Sequence, residues 1–339
     1  MIPGWRVEEI ERGNRAQWMA LRQADLCASE AGALFEDPAT GRAAHKYTTR
    51  RRIAMCKAFG EPPEQNADMR RGKIMEPAVA EAIAVDCGWE PQRCSTYLRA
   101  RADDPLVRMG ATRDYVMLVQ VAELLTDPKT RASAEAAGWA ELTERSPGGE
   151  ARLVVECKSL DQVVHEREWA DGPPAYTVVQ AAYQALLDGA DGALIACLIE
   201  NRAKDLHLYA VPRNASFEAR LIDEVREFWR AYEAGEEAPV VALDNAYMTD
   251  YYPASRDEEV VNLSEDAASW QALVVEREVL KLQQETAQVR IDEIEALIKD
   301  EMREASKAIL PGWSITWRSN ARARPLKIAR RSEAPRRSR

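Results

Sequence analysis

Long apolar runs are missing from this chain. No window approaches 18 uninterrupted apolar residues, and Met1 to Arg22 carries Glu8, Glu9 and Glu11 with no apolar stretch among them. Neither a membrane span nor an export signal is supported, so a cytoplasmic protein is expected. Cysteine is sparse and scattered, at Cys27, Cys56, Cys87, Cys94, Cys157 and Cys197, with no CxxC pair. That usage reads as reduced thiols rather than a disulfide framework. With no cysteine after Cys197, a C-terminal ligand group for an iron–sulfur cluster is missing too. The three histidines, His45, His165 and His207, lack metal-ligand spacing, and neither a GxxxxGK[ST] phosphate loop nor a GxSxG elbow occurs. No internal repeat is present.

What remains is a chain of 339 residues, 46% hydrophobic and 30% charged, suited to one large domain or two with a substantial core. The formal charge of −10 is unevenly spread. From Arg318 to Arg339 nine basic residues face one acid, Glu333, so this stretch carries +8 and the remainder −18. Overall acidity bears on solubility, and a local basic patch or a metal-bridged contact still holds a polyanion, so DNA is not excluded.

Helical composition surrounds Trp18 to Leu34, with Ser29 as a candidate N-cap. Residues 42–60 are basic and polar, and Glu61-Pro62-Pro63 stops whatever helix they form. Asn66 to Gly88 reads as one long helix, with Met69, Ile74, Val79, Ile83 and Cys87 as its apolar positions and Pro77 inside it. Strands follow at Ser95–Leu98 and Asp114–Val121, and residues 126–150 read as an insertion or long loop. Arg152 to Lys158 is an apolar strand, Tyr176 to Asp188 a helix, Ala193 to Ile199 and Leu206 to Val211 strands, and Ser216 to Ala234 an amphipathic helix. This interleaving predicts an α/β or α+β layered core. Residues 239–263 read as a linker. Ser264 to Ala308 is one long helix or a hairpin of two, with a stripe of the kind coiled coils use, closed by Pro311-Gly312 and a short strand, Trp313–Trp317. The basic tail, 318–339, reads as a solvated terminus or a nonspecific binder of DNA phosphates.

Three acids and a lysine stand out. On an extended strand Glu156 and Lys158 share a face while Cys157 points to the other. The pair is either an ion pair or a nuclease site, Glu156 ligating Mg²⁺ and Lys158 addressing the attacking water and the charge that develops on phosphorus. Asp114, opening a strand after a turn at Gly110, is either a turn former or a second metal ligand. Glu76, beside Pro77, is either an exposed helix carboxylate or a third acid. A rival pair for Asp114, Asp127-Pro128-Lys129, is weakened by Pro128, which removes a ladder donor.

The order of these blocks resembles the lambda-type phage exonuclease, or YqaJ-type viral recombinase, branch of the PD-(D/E)xK nucleases. The resemblance rests on Trp18 and Arg22 before Ala28-Ser29-Glu30, then Asn66, Met69, Gly72, Glu76 and Pro77, then Asp114, Glu156-Cys157-Lys158 and Gln180, over about residues 15–235. It implies a restriction-endonuclease-like core, a mixed central sheet flanked by helices, in a nuclease domain spanning 1–238 with its insertion at about 122–151. An amphipathic helical extension with a short strand, 264–317, would follow. It also implies Mg²⁺, with Mn²⁺ as a substitute, held by Asp114, Glu156 and the Cys157 carbonyl. Glu76 and Lys158 would address water, Gln180 would support the site, and Arg22, Ser29 and Thr112 would meet a 5′-phosphate.

The implied activity is 5′→3′ resection of linear duplex DNA from phosphorylated ends, in phage-type recombination by single-strand annealing. An annealing protein would be the partner, and three or four subunits would form a ring. Two departures are visible, Tyr115 where the family has Gly, and a long interval between Asp114 and Glu156. A restriction- or repair-type endonuclease, or an inactive DNA-binding scaffold with the same fold, are the alternatives.

Overall fold

The structure, a computed structural model, describes residues 5–37, 42–60, 67–101, 103–136, 138–139, 149–200, 205–252, 254–255, 260–319 and 322–330. Asn66 and residues 331–339 of the basic tail lie outside them. The chain forms two compact units, Met1–Ala254 and Ser255–Arg339.

In the first unit the elements run β1 (Arg6–Glu11), α1 (Arg15–Ala24), β2 (Leu26–Cys27), α2 (Ala28–Ala31), β3 (Glu36–Asp37), β4 (Arg42–Ala43), α3 (Arg50–Phe59) and α4 (Ala67–Cys87). After these come β5 (Gln92–Arg93), β6 (Thr96–Arg101), β7 (Met109–Thr112), β8 (Tyr115–Gln120), α5 (Val121–Thr126), α6 (Arg131–Ala136) and β9 (Glu150–Leu160). The unit closes with α7 (Gln162–Glu168), α8 (Ala175–Asp188), β10 (Gly192–Ile199), β11 (Leu206–Pro212), α9 (Ala215–Glu233) and α10 (Met248–Tyr251).

A five-stranded mixed sheet, in the order β11-β10-β9-β8-β5, organises this unit. Its central strand β9 pairs antiparallel with β8 and parallel with β10. Both faces of β9 are covered, which is why its middle reads as a continuous apolar run. Leu153, Val155 and Cys157 enter one core with Val79, Ala80 and Ile83 of α4, while Val154 enters another with Ala181 and Ala185 of α8. Each fully buried Leu or Val contributes roughly 1.5–3 kcal/mol. A smaller sheet, β1-β6-β7-β2, packs its apolar face with α8 and α9. The expected mixed sheet flanked by helices is therefore the observed architecture.

Several local readings change. The cap of α2 is Cys27, whose N–H donates to the Glu30 carboxylate at 2.8 Å, so Ser29 lies inside the helix. Gly110 makes no turn. It lies in β7, where a Cβ would fall 1.8 Å from the Tyr97 hydroxyl, so close backbone approach explains the glycine. Met69 and Ile74 are exposed, and α4 buries Val79, Ala80 and Ile83 instead. The described part of residues 126–150 is not a long loop: α6, following α5, sets Ala134 fully into the core beside Leu124, with Trp139 beyond it. Residues 239–252 are no linker either. Asp244 is fully buried, accepting from the Thr49 hydroxyl at 2.5 Å and the Val241 N–H at 2.8 Å, contacts that no periodicity announces.

The second unit carries a single helix, α11 (Ala267–Met302), rather than a hairpin of two. The helix ends before Ala308, and β12 (Lys307–Leu310), β13 (Trp313–Trp317) and β14 (Leu326–Arg330) form an antiparallel sheet. Pro311-Gly312 is the turn between the first two strands, with Gly312 at φ 74°, as a type II turn requires. Part of the basic tail is thus ordered. The Arg324 guanidinium stacks 3.6 Å from the Trp317 ring and donates to the carbonyls of Trp317, Arg303 and Ala305.

Candidate active site

Antiparallel pairing of β8 with β9 places Tyr115 opposite Val155, so the register brings Asp114, just before β8, opposite Glu156. Asp114 Oδ2 accepts from the Cys157 N–H at 3.0 Å. Tyr115 itself is buried in the core that β9 shares with α4, so the aromatic at this position serves packing.

Glu156 is 3% exposed and both its oxygens are engaged. Oε1 accepts from Lys158 Nζ at 2.5 Å and from Gln180 Nε2 at 2.7 Å; Oε2 accepts from Gln184 Nε2 at 2.8 Å. Gln180 and Gln184 are one turn apart on α8, so both reach the same carboxylate. Gln184 Nε2 also donates to the Thr112 carbonyl at 2.9 Å, tying Glu156 to β7. Sequence reading missed Gln184. Its signal was the four-residue spacing from Gln180 on an otherwise apolar helix.

Electrostatics separate the acids from the lysine. Burial pushes the Asp114 carboxyl well above its ordinary range, and the charges of Glu156 and Glu76 push it further. Burial also raises Glu76, with Glu156 adding to the shift and Lys73 and Arg93 opposing it. Burial works against the charge on Lys158, but Glu156 outweighs it, and the ammonium is held above the usual lysine range. Burial, with Asp114 adding, keeps the Cys157 thiol protonated, which leaves the backbone carbonyl as this residue's oxygen donor.

A cleft of about 190 Å³ opens in front of this group. Its walls include Glu76, Asp114 and Gln180 together with Trp18, Arg22, Ser29 and Thr112. Further cations, Arg12, Lys73, Arg93 and Arg113, line it as well, none of them singled out in the sequence. Six of the nine candidate positions therefore share one cavity. Glu156, Cys157 and Lys158 are not among its lining residues, and Glu156 contacts the Gln180 and Gln184 that are. Among the described residues no three His, Cys, Asp or Glu side chains are arranged to share a metal ion in this conformation.

The Arg22 end of the cleft is built from one buried ion pair. Lys57 Nζ contacts the two Glu30 oxygens at 2.9 and 2.8 Å and donates to the Arg22 carbonyl at 2.8 Å. Arg22 Nη2 lies 3.7 Å from Glu30, and Nη1 lies 3.4 Å from the Ser29 hydroxyl. The Trp18 indole N–H donates to the Thr112 hydroxyl at 3.1 Å, and the Arg22 guanidinium lies 5.1 Å from the Trp18 ring centre. Arg22, Ser29 and Thr112 thus form one wall. The rival pair stands apart: Lys129 binds Asp86 and the Leu206 carbonyl, and its N–H closes a turn on Asp127. No helix among the described residues is long and apolar enough to cross a membrane.

The chain is similar to an alkaline exonuclease, LHK-Exo, from Laribacter hongkongensis, at 15% identity and a TM-score of 0.44, covering 70% of this chain and 100% of that one. The same exonuclease in complex with dAMP gives 15% identity, the same coverage and a TM-score of 0.45. A phage related exonuclease from Haemophilus somnus 129PT is similar over 61% of this chain and 92% of its own, at 14% identity and a TM-score of 0.39. Among curated proteins no match is found. Residues 17–191, which hold every candidate residue of the cleft, match the YqaJ-like viral recombinase domain, and the chain belongs to that family.

Proposed function

We propose that this protein is a metal-dependent DNA exonuclease that hydrolyses the phosphodiesters of linear duplex DNA, 5′→3′ from phosphorylated ends, exposing single strands for phage-type recombination by annealing. The observation that carries this reading is the single cleft in which Arg22, Ser29 and Thr112 share walls with Glu76, Asp114 and Gln180. A guanidinium backed by hydroxyls suits a terminal phosphate, and an acid cluster within the same small volume suits hydrolysis of the linkage next to it.

The donor chemistry fits a hard divalent cation. Asp114 is raised by burial and by two neighbouring carboxylates, crowding that a cation relieves, and the available donors are oxygens. Asp114, Glu156 and the Cys157 carbonyl would hold Mg²⁺, or Mn²⁺ in its place, with Glu156 giving up one of its present donors. When bound there, the ion supplies a Lewis acid for the phosphate and a water of lowered pKa.

The chain's own groups divide the remaining work. Lys158, whose ammonium is held above the usual lysine range, stays charged near neutral pH and faces the negative charge that develops on phosphorus. Glu76, whose carboxyl burial raises above its ordinary range, is a stronger base than a solvated carboxylate and would accept a proton from the attacking water. Gln180 and Gln184 fix the orientation of Glu156 through two N–H donors. The proposal extends to an annealing protein as partner and a ring of three or four copies, both carried from the family resemblance.

The test is degradation of linear duplex DNA in Mg²⁺ and in EDTA, beside a closed circle. Loss of the linear duplex in Mg²⁺ alone, with the circle spared, is the expected result. Cutting of the circle would replace the reading with an endonuclease, and inertness with retained DNA binding would replace it with a scaffold.

A further inference from the structure

The second unit presents an uncovered helical face of unusual length. α11 has 36 residues, and every side chain from Ala268 to Ile294 is exposed. At 1.5 Å per residue that is a rod of about 54 Å. Helices of this kind draw most of their stability from packing an apolar face rather than from propensity, so the face calls for a partner.

The pattern on it is a heptad seam. Trp270, Leu273, Leu280, Ala287, Ile291 and Ile294 alternate at four- and three-residue steps, with Arg277 and Gln284 as the polar members of the same series. The large side chains of this seam are between 42% and 56% exposed. Leu273, Glu276, Arg277, Leu280, Lys281 and Gln284 line a groove of about 380 Å³, the kind of hole a facing side chain enters.

The flanking charges say what the occupant is. On one side of the seam stand Glu276 and Arg290, on the other Lys281 and Glu295. When two copies run parallel and in register, each flanking residue faces the one five positions later on the other helix. Glu276 then meets Lys281 and Arg290 meets Glu295, opposite signs in both cases and each formed twice by symmetry. An antiparallel arrangement sets Glu276 against Arg290 but leaves Lys281 facing Gln288 and Glu295 facing Val274. Within one copy Arg290 contacts Glu293 and Glu295 contacts Lys299, exposed pairs that are readily exchanged.

We propose that α11 pairs with the α11 of a second copy of this chain as a parallel, in-register coiled coil through the seam from Trp270 to Ile298. Arg277 and Gln284 weaken the pair but fix its register and limit it to two strands, the usual role of polar residues at such positions. A second stripe, Val275, Val279, Leu282 and Val289, runs down the opposite side. It has smaller side chains and is interrupted by Glu293, so it serves as the control.

The test uses the full chain. Under mild oxidation Ile294→Cys should give a covalent dimer of twice the 38.0 kDa chain, whereas the unsubstituted protein gives none. This readout is independent of any further assembly through the first unit and of nuclease activity. In sedimentation, Leu280→Glu should weaken self-association at least about tenfold and Leu282→Glu less than about twofold. Glu276→Lys should weaken it about fivefold, and adding Lys281→Glu should restore it, a recovery that unfolding cannot mimic. A chain that sediments as a monomer, or Ile294→Cys without cross-linking, or greater sensitivity at Leu282 than at Leu280, would overturn the proposal.

Discussion

The Cys157 backbone N–H donates to Asp114 Oδ2 at 3.0 Å, joining the first residue before β8 to the end of β9 that carries Glu156 and Lys158. The ladder behind this bond runs from Tyr115 opposite Val155 to Gln120 opposite Glu150. The described residues 121–136 therefore follow β8 at the far end of this hairpin, away from Asp114 and Glu156. The length of that stretch leaves the spacing of Asp114 and Glu156 unchanged.

Lys158 holds Glu156 at 2.5 Å and keeps its charge at neutral pH, so its loss should fall on turnover rather than on DNA binding. Lys158→Ala is expected to lower the hydrolysis rate by about 10²–10⁴-fold, the range for a group acting directly on the reacting atoms. DNA binding should stay within about threefold of the native protein. Single-turnover rates alongside equilibrium binding check this, and wild-type turnover would remove Lys158 from the mechanism.

The Lys57–Glu30 pair underlies the Arg22 wall, with side chains 2% and 9% exposed. Lys57→Met should lower stability by about 3 kcal/mol, because Glu30 is left buried with only Arg22, 3.7 Å away, as a cation. Adding Glu30→Leu should recover part of that loss. Denaturant unfolding of the two single variants and the double variant gives the coupling, and strict additivity would contradict the assignment.

His45 links this region to pH. Its Nδ1 accepts from the Tyr47 N–H at 3.0 Å, so the ring proton sits on Nε2, which donates to the Ser29 carbonyl at 3.1 Å. Burial, reinforced by the charge of Lys158, lowers its pKa from 6.5 to about 4. Above pH 6.5 folded and unfolded chains are both neutral here. As pH falls from 6.5 towards 4 the unfolded chain takes up a proton that the folded one refuses, so stability drops, by about 3 kcal/mol at the lower end. His45→Gln should flatten that part of the stability profile, and an unchanged profile would contradict a buried neutral His45.

The sheet, the long helix α4 and the shared face of Glu156 and Lys158 were legible because strand alternation and helix spacing fix which side chains share a face, whereas Asp114 as a ligand and Gln180 came only with the family resemblance. What escaped notice lacks a period. Asp244, held by Thr49, and Trp139, buried in the core, are set by contacts between distant segments. The Gly110 backbone was misread as a turn because a glycine needed for close approach to Tyr97 looks the same in sequence as one needed for positive φ. Composition gives no sign of what Arg324 does in the Arg-rich stretch: it bonds three backbone carbonyls and stacks on Trp317. Gln184 escaped notice because its one signal, the four-residue spacing from Gln180, does not name the carboxylate it meets.

The central claim is that one cleft both recognises a 5′-phosphate and hydrolyses the linkage behind it. The most direct test compares initial rates on duplexes with 5′-phosphate and 5′-hydroxyl ends in Mg²⁺, for the native protein and for Arg22→Ala. A preference of about tenfold or more for the phosphorylated end, abolished by Arg22→Ala, is the predicted result, in keeping with the loss of a charge-assisted bidentate contact. Equal rates of the native protein on phosphorylated and hydroxyl ends, or a preference untouched by Arg22→Ala, would contradict it.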